Sequence, residues 1–285
     1  MHEGGPRAAL SCCGLDFGMD DNGYTHDSYM HDRGKTGVHL VGFDGDDTLW
    51  RSEDYYRAAQ EEFERIVGAY VDLDDVHERL YDVEKRNLAL FGYGAKGMTL
   101  SMLEAAFAIT DARISAADLH RIVLLGKSLL QHPLELLPGI RAAVVAIARS
   151  HPIVLITKGD LFHQEAKVRQ SGLADLFQRI EIVSEKDAPT YARVLAGFDV
   201  APAQFVMIGN SLRSDIAPVL ALGGWGVHMP YHVTWMHETD AVVADDAPRL
   251  RRIAAASELA GAVCEIAAMN GRFTGPVGID EIPRD

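Results

Sequence analysis

Short apolar runs recur along the chain at residues 38–43, 153–157, 180–183, 205–208 and 227–229. Runs of this length without polar alternation suit strands buried on both faces, as in a parallel sheet covered by helices. Residues 241–244 form a candidate sixth strand. The intervening segments 161–170 and 190–196 carry helix-compatible residues. This alternation predicts an α/β fold with a doubly wound, Rossmann-like parallel-sheet core.

One interval breaks the rhythm. Roughly a hundred residues separate the first run from the second, far more than one crossover helix needs. Within it, residues 55–71, 73–91, 99–109 and 116–131 are rich in Ala, Leu, Glu and Arg, with apolar positions three and four apart. An all-helical domain over 53–138 is therefore expected, inserted into an α/β core made of 37–52 and 139–285. Pro133, Pro138 and Gly139 punctuate its exit, and 140–149 is the helix leading to the second strand. Residues 1–36 lack sustained periodicity and read as an irregular extension whose His2, His26 and His31 are solvated. No internal repeat is evident.

Composition adds limits. With 48% hydrophobic and 24% charged residues, the 285-residue chain is an ordinary globular one. A formal charge of −14 argues against a nucleic-acid partner or an anionic membrane surface. An anionic substrate would then need positive charge supplied locally. Cys12, Cys13 and Cys264 have no metal-type spacing, which suggests a reducing, cytoplasmic compartment. No apolar run approaches the roughly 18–20 residues that cross a bilayer.

The strongest chemical signal follows the first strand. Phe43-Asp44-Gly45-Asp46-Asp47-Thr48-Leu49 places carboxylates at i and i+2 and a hydroxyl at i+4, on one side of an extended segment. Open α/β sheets bind ligands beyond the carboxyl ends of their strands, where this cluster falls. Carboxylates this close repel unless a cation compensates, and an oxygen-only cluster suits Mg²⁺.

The Asp44-x-Asp46-x-Thr48 pattern resembles the first motif of the haloacid dehalogenase-like superfamily. Three further motifs follow in order. Thr157 ends the second run, with Lys158 and Gly159 opening a helix whose N-terminal amides favour an anion. Lys186 follows the third run, Lys158 being its rival. Gly209-Asn210-Ser211-Leu212-Arg213-Ser214-Asp215 follows the fourth. Many relatives carry Asp directly after that glycine. Asn210 here keeps a carbonyl ligand but removes a charge, which leaves Asn210 and Asp215 as alternative direct metal ligands.

The resemblance implies a Mg²⁺-dependent phosphatase acting on a small-molecule phosphate monoester through an aspartyl-phosphate. Asp44 is then the nucleophile, Asp46 the general acid and base, and Thr48, Thr157, Lys158 and Gly159 the phosphate neighbours. Lys186 stabilises charge, and Asp44, Asp46, Asn210 and Asp215 make up the metal site. The helical insert is similar to the superfamily's first cap type. Its glycine-rich stretch at 91–98 offers Tyr93 and Lys96 as substrate contacts, or simply joins two helices. Arg57 and Arg86 read as helix-surface charges, Met98 and Met102 as packing, and the segment from His228 to His232 has no assigned role. Other readings are a phosphotransferase or mutase, a 2-haloacid dehalogenase-type hydrolase, or a non-catalytic binding protein. The protein is expected to be a monomer or homodimer.

Overall fold

Six parallel strands form one sheet in the order β3-β2-β1-β4-β5-β6. They are β1 (Leu40–Phe43), β2 (Ile153–Lys158), β3 (Arg179–Val183), β4 (Phe205–Gly209), β5 (Trp225–His228) and β6 (Leu250–Arg252). The computed structural model describes residues 37–233, 235–238, 243–244 and 246–272. The 1–36 extension, with its histidines and Cys12 and Cys13, lies outside them.

The two faces of β1 point to different cores because side chains alternate along a strand. Val41 and Phe43 join Leu155, Ile208 and Val227 on the face covered by α5 (Ile140–Ala148) and α9 (Leu259–Arg272). Leu40 joins Val154, Ile156 and Met207 on the face packed with Tyr191, Val194 and Leu195 of α7 (Ala188–Ala196) and Val219 of α8 (Ala217–Ala221). A further helix, α6 (Leu161–Ser171), follows β2. The order reverses between β1 and β4, and a crevice opens there at the carboxyl ends, the usual ligand position in such sheets.

Between β1 and β2 lie four helices, α1 (Glu53–Gly68), α2 (Val76–Phe91), α3 (Ala95–Ile109) and α4 (Ala116–Gln131). They enclose a cluster separate from both sheet cores, built on Phe63, Ile66, Leu80, Met102 and Ile122. Phe63, Ile66 and Val67 on α1, and Val76, Leu80 and Val83 on α2, fall on one face at helical spacing. Gly126 lets α4 approach α3, since a Cβ there would lie 2.0 Å from Thr99 Oγ1.

Several boundaries differ from expectation, among them α1, which spans Glu53–Gly68 rather than 55–71. Helix α2 begins at Val76 rather than at residue 73. Helix α3 begins at Ala95 rather than at residue 99, because Gly92 and Gly94, at φ 68° and 105°, confine the reversal to Gly92-Tyr93-Gly94. The sixth strand is Leu250–Arg252. Of the candidate 241–244, residues 241–242 lie outside the described residues, while Val243 and Ala244 have no regular structure.

Candidate active site

The loop after β1 is a tight turn built around one carbonyl. Gly45 O accepts from the backbone amides of Thr48, Leu49 and Trp50 at 3.3, 2.8 and 3.3 Å. Asp47 takes the left-handed conformation at φ 61°, where its Oδ1 accepts from the amides of Ser52 (2.8 Å) and Glu53 (3.1 Å) and so caps α1. Burial first, and then Asp46, push the Asp47 carboxyl up to about 7. The turn thus joins the sheet end directly to the first helix of the four-helix unit. Asp44, 6% exposed, is held by its own amide on Ile208 O at 2.9 Å, between β1 and β4.

Lys186, from the loop after β3, reaches this crevice. Its Nζ donates to Asp44 Oδ1 and, at 2.8 Å, to Asp215 Oδ1. Burial would lower its pKa, but Asp215 and then Asp44 outweigh that and raise it, so it stays charged. Burial, followed by Asp215, pushes the Asp44 carboxyl up to about 7 against the pull of Lys186. Thr157, 1% exposed, also lines the cavity, and its Oγ1 has no hydrogen-bond partner among the described residues. An unpaired buried hydroxyl beside the carboxylate is available to a ligand oxygen.

Asn210 and Asp215 have different surroundings. Both Asp215 oxygens are engaged, Oδ1 by Lys186 and Oδ2 by the Ser211 amide at 3.0 Å. The Asn210 side-chain end instead lies 3.2 Å from Asp44 Oδ2, 3.2 Å from the Asp46 carbonyl oxygen and 3.1 Å from Thr48 Oγ1. With the amide oxygen facing inward, three oxygens converge; turned over, its NH₂ would donate to the same groups. Spacings near 3 Å match the edge of an octahedron with bonds of about 2.1 Å, and carboxylate, carbonyl and amide oxygens are hard donors. Asp44, the Asp46 backbone and Asn210 therefore fit a hard divalent cation. No cluster of three His, Cys, Asp or Glu side chains suited to a metal occurs among the described residues. This donor set relies on a backbone and an amide oxygen instead.

The Asp46 side chain takes no part in that convergence. Its Oδ1 accepts from Trp50 Nε1 and Lys167 Nζ, both at 2.6 Å, and its Oδ2 from Gln164 Nε2 at 2.8 Å. Burial would raise its pKa, but Lys167, then Gln164 and Trp50, hold it below the ordinary carboxylate value. Gln164 and Lys167 were missed from sequence. They share a face of α6 at i and i+3, a pattern that nothing local links to Asp46.

Lys158 does not reach the nucleophile. Its Nζ pairs with Glu238, donates to Ser214 Oγ at 2.9 Å and sits 4.3 Å from the centre of the Tyr93 ring. Gly159, at φ 139°, lines the cavity beside it. Glu238, also missed, accepts from Ser211 and Ser214 as well. It belongs to a strap after β5 that touches the helices. Tyr231 Oη donates to Asp54 at 2.6 Å, and Trp235 meets Tyr93 edge-on at 5.7 Å. Tyr93 lines the cavity and donates to Glu185 at 2.6 Å. Lys96 does not line it: drawn into the first turn of α3, it pairs with Asp160 at 2.9 Å. Arg57 and Arg86 are exposed, and Met102 is core, as their spacing implies. Met98 both packs on the helical cluster and faces the cavity. His228 Nε2 lies 2.9 Å from Asn210 O, so it braces the loop after β4.

No helix among the described residues is long and apolar enough to cross a membrane. The family model for haloacid dehalogenase-like hydrolases matches residues 38–223. A haloacid dehalogenase-like family hydrolase from Xanthomonas campestris is 55% identical, with 85% of this chain and 97% of that one covered and a TM-score of 0.76. A 2-haloacid dehalogenase from Pseudomonas syringae shares the fold at 21% identity, covering 81% and 99%, with a TM-score of 0.54. So does a HAD-hydrolase from Bacillus subtilis bound to magnesium, at 16% identity, covering 80% and 99%, with a TM-score of 0.54. Among curated proteins none matches the chain.

Proposed function

The chain belongs to the haloacid dehalogenase-like hydrolases, and from that premise we propose that it is a magnesium-dependent phosphatase of small-molecule phosphate monoesters. The observation that carries this reading is the convergence of Asp44 Oδ2, the Asp46 carbonyl and the Asn210 side chain within 3.2 Å. A carbon–halogen hydrolase also needs an aspartate nucleophile, but has no use for a cation site against it.

Asp44 attacks phosphorus while the leaving alcohol departs, and water then cleaves the aspartyl-phosphate, releasing phosphate and restoring Asp44. Asp44, the Asp46 backbone and Asn210 would hold Mg²⁺, which when bound offsets negative charge on the phosphoryl oxygens. Lys186 favours the ionised form of Asp44 against the effect of burial and supplies a second positive charge to the transferring group. Thr157 Oγ1 and the backbone around Lys158 and Gly159 receive phosphoryl oxygens. Asp46 protonates the leaving oxygen and then deprotonates water. For that, its carboxylate gives up the Lys167, Trp50 and Gln164 contacts that hold it ionised, takes a proton from solvent and faces the substrate. Helices α1–α4 act as a cap over 53–138 that supplies the contacts to the organic group.

Phosphate release from a panel of phosphomonoesters, with Mg²⁺ and with EDTA, tests the reading. Metal-dependent release that Asp44→Asn abolishes is the expected result. Halide release from 2-haloacids without phosphate release would replace this reading with the dehalogenase one.

A further inference from the structure

We propose, building on the phosphatase reading, that the cavity selects phosphate monoesters whose leaving group carries a positively charged amine, recognised by Glu53 of α1 and Glu84 of α2. The cavity, about 160 Å³, lies between the nucleophile and helices α1, α2 and α3. Its floor is Asp44, Thr157 and Lys186, the phosphoryl end. The organic part of a substrate must face the helices, where Glu53, Tyr56, Glu84 and Asn87 line the cavity from α1 and α2.

That wall lacks a cation. The lysines lining the cavity among the described residues are Lys158 and Lys186, and no arginine lines it. Lys186 is shared by Asp44 and Asp215, and Lys158 by Glu238 and Glu185. A second anionic group on the substrate would therefore meet two carboxylates and no counter-charge. The Glu53 carboxylate makes no hydrogen bond or ion pair with any described residue; only its amide is engaged, on Asp47. Burial first, then Asp47 and Glu84, push it up to about 8, so its charged form lacks a partner. Glu84 has His237 Nε2 at 3.8 Å, an ion pair only when that imidazole is protonated and too long for a hydrogen bond. A ligand ammonium supplies the charge that Glu53 lacks and that Glu84 otherwise receives only from a protonated His237.

Two independent features agree. Gln164, 2% exposed, lines the cavity with its amide orientation set by Nε2 donating to Asp46 and to Lys158 O, which leaves Oε1 as an acceptor without a donor among the described residues. Tyr56, Tyr93 and Trp235 also line it, and the Tyr93 face already holds the Lys158 ammonium at 4.3 Å. Aromatic faces beside carboxylates are the chemistry that recognises ammonium groups.

The test is kcat/KM with Mg²⁺ for matched phosphomonoesters of two-, four- and six-carbon chains ending in an amine, a hydroxyl or a carboxylate. At the best chain length the amine is expected to exceed the hydroxyl at least about tenfold, equivalent to about 1.4 kcal/mol, with the carboxylate last. Glu53→Gln and Glu84→Gln should each lower the amine-to-hydroxyl ratio, and together bring it near one. Melting curves of each variant establish that it is folded, and the wild-type ratio stands without the variants. Hydroxyl or carboxylate esters turned over as well as amines, or a ratio unmoved in folded variants, overturns the amine proposal and leaves the phosphatase reading intact. Absence of turnover on every ester overturns both.

Discussion

Asn210 and Asp44, 166 residues apart, meet across the crevice between β4 and β1 with the amide end 3.2 Å from Asp44 Oδ2. An amide serves there in two ways, oxygen toward a cation or nitrogen toward the carboxylate. The second arrangement competes with metal binding. Asn210→Asp removes that option and adds a negative charge, so Mg²⁺ should bind at least about tenfold more tightly, about 1.4 kcal/mol. Calorimetric titration with Mg²⁺ reads this directly. Equal affinity of the two proteins would show that residue 210 is not a ligand.

Lys186 is the cation that Asp44 and Asp215 share, and all three are nearly inaccessible. Lys186→Met leaves two buried carboxylates without it, and breaking such a set commonly costs about 3–5 kcal/mol. We expect lower stability in EDTA, partial recovery with Mg²⁺, and turnover reduced by about a thousandfold or more. Chemical denaturation with and without metal checks the first two. Unchanged stability would show that the contact contributes little.

Gly209 has no room for a side chain, since a Cβ would lie 2.2 Å from Asp215 Oδ2. Gly209→Ala must move Asp215, and with it the Lys186 contact and the Ser211 amide bond. A cost of about 1–3 kcal/mol is expected from overpacking. A loss of activity larger than the remaining folded fraction explains should accompany it. Wild-type activity in the folded variant would mean that the Asp215 position is not needed.

His163 of α6 is buried beside Lys167, and burial first, then that ammonium, lower its pKa to about 4. The unfolded chain takes up the proton near 6.5, so the stability contribution is complete above that pH and declines as pH falls toward 4. His163→Gln should melt with a shallower pH dependence than wild type between pH 6.5 and 4. Parallel melting curves across that range would exclude His163 as the source.

The apolar runs reveal the α/β class and five of the six strands, since continuous burial leaves its mark in contiguous residues. They do not reveal β6, whose Leu250-Arg251-Arg252 is mostly polar because it is an edge strand with one neighbour. Helix α3 starts four residues early because Gly94 provides a turn that helix propensity alone does not indicate.

The sequence by itself determined which strand ends carry the candidate site residues. Asp44, Asp46, Thr48, Thr157, Lys186 and Asn210 are each set by a few neighbouring residues at the end of a strand. Only the tertiary structure decided their partners. Lys186 rather than Lys158 meets Asp44, Asn210 rather than Asp215 faces it, and Lys167 and Gln164 hold Asp46. These pairings join segments separated by more than a hundred residues, brought together by the order β3-β2-β1-β4. A local pattern specifies where a charged group leaves the backbone. Which opposite charge it meets depends on distances that exist only once the strands lie side by side.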